Sequence, residues 1–122
     1  MILPDTSIWI DHFRVANPML VERMLVEDVL IHPFVVVELA LGDLKKRGLT
    51  LHQLGQLPVA TVARTEEVLH FIGTHDLMAT GIGFVDAHLL VSTRVVPETR
   101  LWTKDKRLAK QAERLSLPMF HG

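Results

Sequence analysis

Four short apolar runs, interleaved with stretches of helical spacing, constrain the fold of this chain more than any other feature of its sequence. Met1 to Pro4, Val29 to Ile31, Val59 to Val62 and Leu101-Trp102 are too short for helices and are rich in β-branched or bulky residues, as buried strands are. Helical patterns lie between them: Ser7 to Phe13, Pro18 to about Glu27, Phe34 to Gly42 or Gly48, and Thr50 to Leu57. Three more follow, opened by Thr65-Glu66-Glu67, by Gly83 and by Asp105. Strands alternating with helices predict an α/β domain with a mainly parallel sheet. At 122 residues and 48% hydrophobic content the whole chain, 1–122, forms one domain with one core.

Within that pattern three carboxylates stand where the neighbours want the core. Asp5 follows Ile2-Leu3-Pro4 and precedes Ile8-Trp9-Ile10; Glu38 lies inside Phe34 to Leu41; Asp86 lies inside Ile82 to Val91. A buried, unpaired carboxylate costs several kcal/mol or takes up a proton, so each needs a partner. No base occurs in these runs, and neither Glu38 nor Asp86 has an obvious capping role. A shared divalent cation would satisfy all three, since hard ions such as Mg2+ prefer oxygen ligands. Asp105 is a fourth candidate. Like Asp5 it follows a strand, where open parallel sheets place their ligand crevices, and it reads equally as the N-cap of the last helix.

Charge is distributed unevenly. From Arg94 to Arg114 there are seven bases against three acids, leaving six bases against eleven acids elsewhere, although the net charge is only −1. A basic segment beside an acidic remainder is the footprint of a polyanion partner next to a cation site. With no cysteine, disulfides, thiolate zinc sites and thiol nucleophiles are excluded. The seven histidines form no paired zinc-ligand motif. Gly81-Ile82-Gly83 lacks the third glycine of a dinucleotide loop, and Thr6-Ser7 occupy the places where receiver or dehalogenase-like phosphotransfer domains need acids. No apolar run is long enough to span a bilayer, and the chain is expected to be soluble and cytoplasmic.

Asp5-Thr6-Ser7, Val37-Glu38-Leu39-Ala40-Leu41-Gly42, Gly83-Phe84-Val85-Asp86-Ala87 and Thr103-Lys104-Asp105 stand in order along the chain, their acids 33, 48 and 19 residues apart. In these motifs the sequence resembles the PIN-domain nucleases, particularly VapC-type toxins, over essentially its whole length. The resemblance implies a three-layer α/β/α fold and an endoribonuclease dependent on Mg2+ or Mn2+. It also implies a homodimer and inhibition by a cognate VapB-type antitoxin, with a larger toxin–antitoxin assembly a further expectation. Carried over by position, Asp5, Glu38 and Asp86 match the family's core acids, Asp105 its more variable fourth acid and Thr103 the hydroxyl residue before it.

Thr6, Ser7 and Thr103 are then expected to orient carboxylates or water. Arg100, Lys104, Lys106, Arg107 and Lys110 are candidates for RNA phosphate contacts. No stacking platform for bases is evident. Met19, Leu20, Met24 and Leu25, with Leu51, Leu54 and Leu57, pack in the core or line a groove for an inhibitor segment. The competing reading is a PIN-like protein- or RNA-binding module that lacks catalysis.

Overall fold

In the computed structural model, which describes residues 1–122, two short strands run side by side at the centre. β1 (Ile2–Pro4) and β2 (Arg100–Trp102) are parallel, with Ile2 opposite Arg100 and Pro4 opposite Trp102. Single parallel bridges widen this pair into a layer five segments across, ordered Val59, Val29 to Ile31, β1, β2 and Met119. Ile2, Leu3 and Leu101 at its middle are fully buried, and the one polar residue of the two strands, Arg100, is exposed at the start of β2.

Two of the four expected strands are reduced to bridges. Val29 to Ile31 pairs with β1 at one edge and with Val59 at the other, and then turns directly into a helix at His32-Pro33. The expected strand from Val59 to Val62 makes a single bridge. Only Ala60 of that run is buried, while Val59 and Val62 face solvent, so one pleat of pairing is all the core rewards. The fifth segment, at Met119, was not expected. Leu101 donates its N–H to the Pro118 carbonyl, and Phe120 donates back to Leu101, an edge position that tolerates proline.

Seven helices surround the layer. They are α1 (Thr6–Arg14), α2 (Pro18–Leu25), α3 (Pro33–Ala40), α4 (Arg47–Leu54), α5 (Thr65–Thr74), α6 (Phe84–Val95) and α7 (Lys106–Arg114). Their starts follow local chemistry: Asp5, Asn17 and Asp105 accept backbone N–H groups at the caps of α1, α2 and α7, and prolines open α2 and α3. α1, α3 and α4 pack together, α5 packs on α6, and the two groups rest on β1 and β2. The result is the mixed α/β architecture expected, with a parallel sheet between helical layers. Leu20 and Leu54, offered above as possible groove residues, belong to the buried core.

Candidate active site

The parallel register sets Asp5 and Thr103 side by side, each one residue past the carboxyl end of its strand. Asp5 is only 3% exposed, yet no base neutralises it. Its Oδ1 accepts from the Ser7 hydroxyl at 2.5 Å and from the Ile8 N–H at 3.1 Å, capping α1, and its Oδ2 accepts from Thr103 Oγ1. Thr103 Oγ1 in turn accepts the Asp105 N–H at 2.9 Å, and Ser7 Oγ accepts the Lys104 N–H at 3.4 Å. Thr103 and Ser7 therefore tie the end of β2 to the end of β1 through one carboxylate. Burial raises the Asp5 pKa, opposed by the Ser7, Thr103 and Ile8 hydrogen bonds and reinforced by the field of Asp105.

The other acids arrive on helices. Asp105 caps α7, its Oδ1 accepting from the Arg107 and Leu108 N–H groups at 2.9 and 3.1 Å. Glu38, from the last half of α3, accepts from Thr6 Oγ1 on the first turn of α1. Asp86 lies in the first turn of α6, where Oδ2 accepts the Gly83 N–H at 3.4 Å, so it does take part in capping. Burial pushes the Asp86 carboxyl up to about 6; Gly83 pulls the other way, and the fields of Asp5, Asp105 and Glu38 add to the rise. That mutual influence brings all four predicted acids into one electrostatic cluster. Glu38 corrects the sequence reading in one respect: it is exposed, because only Val35 and Leu39 of α3 are buried and Val37, Glu38 and Leu41 face outward.

None of the four carboxylates forms an ion pair, and all are oxygen donors of the kind Mg2+ or Mn2+ takes. No three acidic or histidine side chains stand close enough together to hold one ion between them. The fit to the implied metal therefore rests on the chemistry of the donors, which are all carboxylate oxygens, with water completing the coordination of a hard divalent ion.

Two features escaped the sequence reading. His32 and His88 are both buried, their ring centroids 5.7 Å apart, and His32 Nδ1 accepts the Phe34 N–H at the cap of α3. Burial, with His88 adding, pushes His32 down to about 4, and burial also lowers His88. This neutral pair joins the helix bearing Glu38 to the helix bearing Asp86. Against it Phe34 and Phe84 stack at 5.5 Å, with Phe84 69% exposed, so an aromatic surface does exist beside the acids. Spacing alone places Phe34 one helical turn before Glu38, but it does not bring Phe34 to Phe84, which meet only when α3 and α6 pack.

The basic candidates are scattered. Lys104 pairs with Asp11 on α1, and the Arg100 guanidinium lies 5.1 Å from the centre of the Phe120 ring. Lys106, Arg107 and Lys110 are exposed on α7 and pair with no acid.

Over 108 residues the chain is 46% identical to Ribonuclease VapC32 of Mycobacterium tuberculosis, in strains CDC 1551 / Oshkosh and ATCC 25618 / H37Rv alike. The alignment covers 88% of this chain and 87% of that protein. The chain belongs to the VapC ribonuclease family. No family profile matches it in addition. As a VapC-family chain it presents two of its acids just past the ends of the central strands, a third on α6, which packs on β2, and a fourth on α3, which packs on α1.

Proposed function

We propose that this protein is a metal-dependent endoribonuclease that acts as the toxin of a toxin–antitoxin pair. The single observation that carries the reading is the cluster of Asp5, Glu38, Asp86 and Asp105. It holds four carboxylates, no ion pair and a raised Asp86 pKa, in a chain related to a protein named a ribonuclease. Such a cluster is unfavourable when empty and favourable around a cation.

Asp5, Glu38, Asp86 and Asp105 would hold Mg2+ or Mn2+, and the chemistry such an ion would supply there is activation of water and neutralisation of charge at the phosphodiester. The chain does the positioning. Ser7, Ile8 and Thr103 hold Asp5 in one orientation, Thr6 holds Glu38, and the α7 cap fixes Asp105 while leaving Oδ2 without a protein partner. Asp86 binds the Gly83 N–H only loosely, so it is the acid freest to adjust to a ligand. The basic face of α7 offsets the repulsion that a polyanion would meet at an acidic cluster.

The antitoxin has a place to bind. A groove of about 430 Å3 runs past Glu38 and is lined by Ile10, Phe13 and Leu39 with Arg14, Asp43 and Lys45 at its polar margin. It lies between α1, α3 and the start of α4, displaced from the α2–α4 face considered from sequence alone. An amphipathic segment would lay apolar side chains there and extend a basic one to Glu38. A complex that leaves the four carboxylates open to solvent would overturn this assignment. The stripe of exposed Val37 and Leu41 on α3, continuous in spacing with Phe34, supports the homodimer.

The deciding experiment is cleavage of total cellular RNA by the purified protein with Mg2+ or Mn2+, with chelator, and with the Asp5→Asn and Asp86→Asn variants. Discrete fragments that require metal and vanish in both variants are expected. Equal behaviour of wild type and variants, in a protein that binds metal, would make it a binding module of the family.

A further inference from the structure

The bases of the carboxyl-terminal segment are not equivalent once folded. Arg100 is occupied by Phe120, Lys104 is occupied by Asp11, and Lys106 and Lys110 are exposed with no fixed contact. Arg107 alone has a seat. Its side chain runs along the backbone of Gly81 so closely that a Cβ there would stand 3.1 Å from its Cδ, 3.4 Å from its Nε and 3.7 Å from its Cζ. Gly81 also has φ +84°, a conformation that side-chain-bearing residues rarely adopt, so the backbone favours glycine here and a side chain would in addition press on the Arg107 stem.

The seat lies between two parts of the acid cluster. Arg107 donates its N–H to Asp105, and Gly81 is two residues before Gly83, whose N–H is bonded to Asp86. Even so, the guanidinium pairs with no acid. An exposed positive charge whose stem lies against Gly81, without a counter-ion and between two acid-bearing segments, is open to an anion from outside the chain. Its planar fork fits two oxygens of one phosphate.

We infer that Arg107, seated on Gly81, forms a phosphate subsite for the RNA strand. It takes a phosphodiester neighbouring the one that is cleaved, because the guanidinium is not in contact with any of the four carboxylates. This rests on the ribonuclease reading above. The subsite positions backbone and reads no base, so it acts on every sequence alike.

The test is steady-state cleavage of a single-stranded RNA oligonucleotide in Mg2+, with kcat and KM resolved across about 50–200 mM salt. Arg107→Gln is expected to raise KM about tenfold with kcat within about twofold, the loss of one charged hydrogen-bonded contact. The slope of log(kcat/KM) against log salt should become shallower by about 0.7, one phosphate's worth on a single strand. Arg107→Lys should fall between, keeping the charge but losing the fork.

Gly81→Ala, checked for an unchanged fold by circular dichroism, should raise KM in the same direction. It should add little in the double variant, since both act through one contact. Arg94→Gln removes the same charge from the far end of α6, about 12 Å of helix beyond Asp86, and should leave the slope as it is. Equal KM and slope for Arg107→Gln and Arg94→Gln would overturn the subsite while leaving the ribonuclease standing. So would a Gly81→Ala defect confined to kcat. A wild type inert toward RNA with metal would remove both, and the total-RNA assay distinguishes that case.

Discussion

The two halves of the acid cluster are built differently. On the strand side, Asp5 accepts three hydrogen bonds and Asp105 two, and Thr103 and Ser7 lace the ends of β1 and β2 together through them. On the helix side, Glu38 accepts one, and Asp86 one that is long. One half is fixed before any ligand arrives; the other is held by its helices and free at its tips. A site made this way keeps one reference point rigid while the rest closes on metal and substrate, and the two halves should respond differently to substitution.

The sharpest way to break the contrast is on the rigid side. Asn still caps a helix, so Asp5→Asn should fold and yet lose RNA cleavage by on the order of 10³-fold, measured as kcat/KM. Thr103→Val removes the hydroxyl shared by Asp5 and Asp105. It should cost about 10–100-fold in metal affinity, read by titration calorimetry, the usual range for groups that orient ligands. If Thr103→Val were silent while Thr6→Val were not, the assignment of rigid and adaptable halves would be reversed.

Stability separates Asp86 from Asp105 by sign. Asp86 has its pKa raised from 3.8 to about 6, so the folded chain binds more protons than the unfolded one between those values. The stability that its neutral form confers is fully present below the lower value and is lost as pH rises through the upper one. Without metal, denaturant unfolding should therefore show the protein losing on the order of 2 kcal/mol across that window. Asp86→Asn should flatten the profile and be the more stable protein at pH 7. Asp105→Ala should act oppositely, losing about 1 kcal/mol with the cap of α7. Glu38→Gln, at an exposed position, should stay within about 0.5 kcal/mol.

Much of this was legible in the sequence, and the reasons are specific. β1 and β2 were readable because Ile2, Leu3 and Leu101 are buried on both faces and their runs are uniformly apolar. Asp5 and Asp86 were readable because burial of charge is rare enough to demand a cause, whereas Glu38, which is exposed, was singled out on a premise of burial that does not hold for it. What failed was whatever depended on which side of a segment faces in. Phe34 to Leu41 looked buried throughout, yet Leu41 is 84% exposed and the run is half surface. The Met119 segment was hidden because one bridge leaves no periodicity. The site was found from single residues, whereas the His32–His88 pair and the Phe34–Phe84 surface exist only once α3 and α6 are packed, and no local pattern announces them.

The Asp5–Thr103 hydrogen bond joins residues 98 positions apart. On a ribosome adding about 5–20 residues per second, Asp5 emerges on the order of 5–20 s before the hydroxyl that aims it. Sheet neighbours that meet only across most of the chain also make the central layer a late event in folding. A nascent chain accordingly carries Asp5, Glu38 and Asp86 without the hydroxyl and the fourth acid that complete the cluster, and the arrangement forms only once the segment with Thr103 and Asp105 has joined the sheet.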